Sequence, residues 1–252
     1  MADFYDQLAP YYHLIFADWE HGITRQGEAF AAILREHWPG HRSVLDVSCG
    51  IGTQAIGLAQ NGFWVKASDT SAGALERARS EAAARGVVIE FSLCDMRQAF
   101  VCHGGGFDVV LAADNAVPHL LSDAEILSAF ESMYACLKPG GGCVITVHDY
   151  EREPRGTNIV KPYRARIENG KRWVGLQVWD FDGDHYDLTL YLIEEDLATG
   201  AVQTHAMRSR YYAIATTRLL ALMTQAGFAQ TTRLDDAFSQ PVLIGTRPRE
   251  ST

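Results

Sequence analysis

The sequence predicts a doubly wound α/β protein whose sheet is mostly parallel and carries an inserted antiparallel β-meander. Three observations lead there. Nearly continuous apolar strands alternate with helical segments as far as residue 148, the pattern of a parallel sheet covered on both faces. After residue 150 the apolar period changes to two, in long runs joined at Asp182-Gly183. A helix and two further strands then close the chain.

The elements follow in order. Ile23, Phe30, Ile33 and Leu34 recur at helical spacing over about residues 23–37, until Pro39-Gly40 stops the run. "SVLDV" at 43–47 is a buried strand, and 53–61 is a short helix ended by Gly62. "FWVKAS" is the second strand, after which Thr70 or Ser71 can cap an Ala-rich helix that stops at Gly86. "VVIEFSL" and "FDVVLAA" are the third and fourth strands. Ser122 and Glu125 make a capping box for a helix with Ile126, Phe130, Met133, Tyr134 and Leu137 on one face. Pro139 and the glycines at 140–142 end it, and "CVITVH" is the fifth strand. "WVGLQVWDF", "HYDLTLYLIEED" and "AVQTHAMRSRYYAI" form the meander. A helix at 217–226, capped by Gly227, precedes "AQTTRL" and "PVLIGT", which bring the main sheet to seven strands.

This divides the chain into an aromatic, helical N-terminal cap (1–40), a ligand-binding core (41–149), the meander (150–213) and a C-terminal completion of the sheet (214–252). The meander reads as a lid, because ligands bind open α/β sheets at the carboxyl edge. The other reading is a homo-oligomer surface.

Composition narrows the partners. With 252 residues, 47% hydrophobic and 21% charged, the chain reads as an ordinary globular protein. A net charge of -9 and the lack of a Lys/Arg cluster argue against nucleic acid. The N-terminus lacks the zones of a signal peptide and no apolar run reaches membrane-span length, so a cytoplasmic protein is expected. Five cysteines without a CxxC pair are expected as reduced thiols, and nine scattered histidines suggest no metal.

The chemistry centres on "VLDVSCGIGTQAIGLAQNGFWVKASD", residues 44–69. Gly50-x-Gly52-x-x-Ala55 formally satisfies a dinucleotide fingerprint, with Asp69 near the place of a ribose-binding carboxylate. Asp46 argues the other way, because its charge would meet a pyrophosphate at the turn. A ligand with a ribose and an ammonium group but no phosphate suits both carboxylates. S-adenosylmethionine is such a ligand, which makes the core Rossmann-like in its use of the turn.

The stretch resembles motif I of class I S-adenosylmethionine-dependent methyltransferases. Asp69 matches the acidic end of their second strand, Asp95-Met96 their adenine-contacting pair, and Leu137–Gly141 their "LKPGG" turn. The resemblance covers about residues 40–148 and implies a fold, a cofactor and a methyl transfer. It assigns to the cofactor Asp46, Ser48, Gly50, Gly52, Asp69, Thr70, Asp95, Met96, Ala113 and Asp114.

"DNAVPHLLSD" after the fourth strand is similar to the "N-S-x-x-H-L" segment of glycine and sarcosine N-methyltransferases, which points to a small-molecule acceptor at nitrogen. The aromatic N-terminus also resembles theirs, and implies Arg25 for the cofactor's carboxylate. Catalytic candidates are His119, His148 and Asn115, and acceptor contacts are Tyr12, Trp19, His119, His148, Tyr211 and Tyr212. One departure stands out. The family places an arginine after the fifth strand to hold the substrate carboxylate, where this chain has His148 and Asp149. An amine or nitrogen heterocycle without a carboxylate is therefore expected, with O-methylation or cofactor binding without turnover as the alternatives.

Overall fold

A computed structural model describes residues 2–249, so the extreme ends of the first and last expected segments lie outside the described residues. The N-terminal cap contains α1 (Ala2–Leu8), a 3₁₀ turn at Tyr12–Ile15 and α2 (Trp19–His37). The core follows as β1 (Ser43–Asp46), α3 (Thr53–Gln60), β2 (Trp64–Asp69), α4 (Ala72–Ala84), β3 (Glu90–Leu93), α5 (Ala99–His103), β4 (Phe107–Ala112), α6 (Asp123–Cys136) and β5 (Leu137–Thr146). Then come β6 (Ile159–Pro162), β7 (Arg166–Glu168), β8 (Lys171–Asp182), β9 (His185–Asp196) and β10 (Val202–Tyr212). The chain closes with α7 (Thr216–Gln225), β11 (Ala229–Leu234) and β12 (Val242–Thr246).

Seven strands form one sheet in the order β11-β12-β5-β4-β1-β2-β3. The strands from β1 to β5 are mutually parallel, and β12 enters antiparallel beside β5. Strand order reverses at β1 and β4, so the crevice at their carboxyl ends is where a ligand fits. Apolar clusters cover both faces, one around Phe130 and Met133 and the other around Phe30 and Leu58. The second sheet runs β10-β9-β8-β6, with β7 also on β8. It buries Trp179, Tyr186, Leu188 and Leu190 against Phe4 and Leu8 of α1. Meander and N-terminal cap therefore share one core. Among the described residues, no helix is long and apolar enough to cross a membrane.

Local signals set most boundaries. Ser122 accepts from Glu125 N at the start of α6, and Ser71 rather than Thr70 caps α4 by accepting from Ala74 N. α2 begins earlier than its apolar period suggests, because Asp18 caps it by accepting from His21 N. Two differences are larger. Strands β6 and β7 had no period-two signal, and they pair at the edge of β8 with half their residues exposed. Cys94 and Cys102, expected as thiols, form a disulfide. They are 8 positions apart, and the 3₁₀ turn at Met96–Gln98 and α5 bring their Cα atoms to 6.5 Å. An odd cysteine count leaves room for one such pair.

Candidate active site

The turn after β1 is built from backbone geometry and one carboxylate. Gly50 and Gly52 have φ of +52° and +92°, which L side chains rarely adopt. Gly52 N donates to Cys49 O at 2.8 Å, and Cys49 N to Ser68 O at 3.0 Å, so the turn leans on the end of β2. Asp69 fixes that junction. Its Oδ2 accepts from Gly50 N at 2.8 Å and its Oδ1 from Ser71 N at 2.9 Å.

A cavity of about 690 Å³, open mouth included, lies on this turn. Its lining includes Ser48, Gly50, Thr53, Gln54, Asp69, Thr70, Asp95, Met96, Ala113, Asp114 and His119, with Tyr5 and Tyr12 opposite. Three of these are carboxylates and none is Lys or Arg, so the wall suits a cationic ligand and repels phosphate. A Cβ at Gly50 would come within 3.3 Å of the Tyr12 ring, which explains why this position has no side chain.

Asp46 stands behind the turn instead of on the cavity wall. Its Oδ1 accepts from Ser48 N at 3.1 Å, while its Oδ2 has no partner. Burial pushes its pKa up to about 7 against the opposing Ser48 bond, and the nearby Asp69 charge adds to the rise.

A second cavity adjoins the first and shares Tyr5, Tyr12 and Asp114 with it. The meander contributes Gln177, Trp179, Tyr186, Leu188, Leu190 and Tyr211, and Tyr163 comes from the β6–β7 link. Phe4, Leu8, Ile15 and Phe16 close it from the N-terminal cap, and Asn115, His148 and Gln240 complete the wall.

Asp114 is the carboxylate between the two cavities. Its φ is +57° and that of Asn115 is +65°, two successive non-glycine residues in a conformation that costs about 1–2 kcal/mol each. Thr146 holds the pair in place, its Oγ1 accepting from Asp114 N at 2.7 Å and its carbonyl from Asn115 N at 2.9 Å. Burial raises the Asp114 pKa, and Gln240 opposes this only through a long 3.4 Å contact.

A family model described as a methyltransferase domain matches residues 44–141, the span that builds the turn and most of the first cavity's wall. The chain carries a class I S-adenosylmethionine-dependent methyltransferase domain. This methyltransferase is 29% identical over 219 residues to a glycine/sarcosine N-methyltransferase of Parasynechococcus marenigrum, covering 87% of this chain and 73% of that protein. It is 30% identical over 148 residues to a dTDP-3-amino-3,6-dideoxy-alpha-D-glucopyranose N,N-dimethyltransferase of Streptomyces fradiae, covering 57% of this chain and 54% of that one. Its fold matches a S-adenosylmethionine-bound amino pentose methyltransferase from Micromonospora echinaspora with a TM-score of 0.76, at 22% identity over 89% of this chain and 91% of that one.

The cofactor of the methyltransferase is S-adenosylmethionine, and the chain's donors and acceptors fit it. The carboxylate-lined cavity has the charge to meet a sulfonium and an ammonium group, and Asp69 keeps acceptor capacity beside its two backbone bonds.

Several expected site residues are placed elsewhere. Arg25 is exposed on α2 and does not line the cavity. Its neighbour Gln26, rotated by one residue of helix, is buried and accepts from Gln54 Nε2 at 2.8 Å. Trp19 lines neither cavity. Its indole donates to Thr53 Oγ1 at 2.9 Å, with Arg85 and Arg77 over its ring. Tyr212 is on the opposite face of β10 from Tyr211 and donates to Asp123 at 3.0 Å. Gly52 lines no cavity, and a Cβ there would meet Ile56 and Ala78, so it serves the start of α3. Asp149 pairs with Arg233 at 2.7 Å and does not line the second cavity.

The remaining candidates divide by role. Asn115 has both amide ends engaged, donating to Tyr150 Oη at 2.7 Å and accepting from His148 N at 3.0 Å. It fixes the His148 backbone and keeps one N–H and one lone pair beyond these two bonds. His119 belongs to the first cavity, with Tyr5 Oη 2.7 Å from its Nε2 and the Tyr211 ring stacked at 4.0 Å. Burial holds its pKa down at about 3, so it is neutral. His148 is in the second cavity beside Trp179 and Tyr150, and burial keeps its pKa below the usual histidine value. Tyr5, Tyr163, Gln177 and Gln240 were missed. They converge only through tertiary contact, and none carries a local motif.

Proposed function

We propose that this methyltransferase N-methylates a small amine that carries no carboxylate. One observation supports the reading above the rest: the second cavity is lined by aromatic rings and one carboxylate, Asp114, with no Lys or Arg. A buried carboxylate among ring faces attracts an ammonium group by charge and by cation–π contact. A glycine-like acceptor would bring a second carboxylate beside Asp114 with no cation to offset it, at a cost of several kcal/mol. The repulsion comes from Asp114, since Asp149 is tied to Arg233. A neutral azole gains less from Asp114 than a cationic amine does.

When bound, S-adenosylmethionine supplies a methyl group on a sulfonium, already activated for attack. The residues of the chain supply position and proton handling. Asp114 holds the ammonium form at the boundary of the two cavities. The amine must lose a proton before its lone pair is available, and either Asp114, with its raised pKa, or neutral His148 can take it. Proton transfer of this kind contributes about 10²–10⁴-fold where it limits the rate. Holding acceptor and methyl group in line supplies roughly 7–11 kcal/mol more. The meander and α1 act as the lid that excludes water.

The test compares S-adenosylhomocysteine release with glycine, a simple primary amine, imidazole and a phenol as acceptors. The amine is expected to lead in kcat/KM, and Asp114→Asn to lower kcat by about 10²-fold or more. Glycine in the lead would overturn the carboxylate argument, and a phenol in the lead would replace N-methylation by O-methylation.

A further inference from the structure

We infer that the acceptor amine is carried on an apolar, ring-sized body, an arylalkylamine in chemical class. The inference rests on the N-methylation reading and adds the other half of the substrate. Away from Asp114, the second cavity is walled by Trp179, Leu188 and Leu190 of the meander and by Phe4, Leu8 and Ile15 of the N-terminal cap. The polar groups on that side are already partnered with one another. Gln177 donates to Tyr163 Oη at 2.5 Å and accepts from Trp179 Nε1 at 2.7 Å. Tyr186 Oη is 3.1 Å from Tyr150 Oη, which in turn accepts from Asn115. Lys161 lies over the Trp179 ring at 5.1 Å but is paired with Glu153 and lines no part of the cavity.

A carboxylate and an amide gather at the other end. Asp114 is there, and Gln240, whose amide nitrogen approaches Asp114 at 3.4 Å, has a buried Oε1 with no partner. The cavity thus has one pole built on a carboxylate and an amide and one that is mostly apolar, with the His148 ring beside Trp179 as its main free polar group. An amino sugar would bury hydroxyls against the apolar pole, and each unpaired one weakens binding roughly tenfold. A nucleotide-linked sugar would add a diphosphate where no Lys or Arg lines the wall. An aryl or other ring body loses no hydrogen bond there and gains contact with aromatic faces. A two- or three-carbon spacer then brings its ammonium group to Asp114 and Gln240.

The experiment measures kcat/KM for phenethylamine, propylamine, glucosamine and glycine with the full chain and saturating S-adenosylmethionine, scored by methylated product. Phenethylamine is expected to exceed propylamine by tenfold or more, chiefly through KM, with glucosamine below both. Propylamine or glucosamine equal to or above phenethylamine would overturn the apolar-body inference and leave N-methylation standing. Turnover of tyrosol, the hydroxyl analogue of tyramine, with none of any amine would overturn both.

Discussion

The phenol of Tyr5 on α1 is hydrogen-bonded to Nε2 of His119, after β4, across 2.7 Å and 114 residues of sequence. Tyr5 lines both cavities and His119 only the first, so the bond ties the N-terminal cap to the cofactor side of the site. With its pKa held near 3, His119 is a neutral imidazole, with one ring nitrogen that donates and one that accepts.

Tyr5→Phe leaves that buried nitrogen without its hydrogen-bond partner, which costs about 1–3 kcal/mol. The expected result is a lower urea midpoint and a reduced kcat/KM, with cofactor affinity changed little. Calorimetry and steady-state kinetics on one preparation check it, and unaltered kinetics would remove Tyr5 from the site.

Two buried groups give the stability profile opposing limbs. The unfolded chain protonates His119 near its ordinary value of 6.5 and the folded state only near 3, so stability falls as pH drops through that window. Asp46 behaves in reverse, since it keeps its proton to about 7 in the fold and loses it near 3.8 when unfolded. Stability attributable to Asp46 falls as pH rises between those values. His119→Gln should flatten the acid limb, and Asp46→Asn the other. Urea midpoints at one-unit steps from pH 4 to 8 separate the two.

Asp69→Ala removes the acceptor for Gly50 N and Ser71 N as well as the carboxylate on the cavity wall. Cofactor binding should weaken by about 1.5–3 kcal/mol, the range for hydrogen bonds to charged groups. Isothermal calorimetry reads the loss. An unchanged Kd in a folded variant would falsify the role of Asp69.

If the meander and α1 close over the acceptor, Phe4–Leu8 and β8–β10 should gain hydrogen-exchange protection when cofactor and acceptor bind together. Protection limited to the glycine turn and the Asp95 loop would favour an oligomer surface for the meander.

Much of the fold was legible because its signals are local. Capping side chains, glycines at turns and apolar periods act within a few residues, so Ser122 marks the start of α6 and β11 falls on "AQTTRL" as read. The order of the glycine turn, Asp69, Asp95-Met96 and Leu137–Gly141 pointed to the cofactor for a related reason. The first three sit beside the carboxyl ends of β1, β2 and β3, which the strand order brings together, while Leu137–Gly141 opens β5 at the opposite edge of the sheet.

The face that a side chain takes was less legible. Arg25 and Gln26 are adjacent in sequence, yet one is exposed and the other buried, and β10 separates Tyr211 from Tyr212 in the same way. An aromatic or an arginine is plausible on either side until a packing partner is known. β6 and β7 gave no pattern because they are short edge strands with little apolar surface to bury.

By itself the sequence determined the α/β core and the glycine turn, since both depend on residue type and near neighbours. Only the tertiary structure decided the wall of the second cavity. That wall joins Tyr5 of the first helix, Asp114 after β4, Trp179 of the meander and Gln240 before the last strand. Their meeting depends on burying the meander's apolar face against α1, a long-range packing that no segment encodes alone.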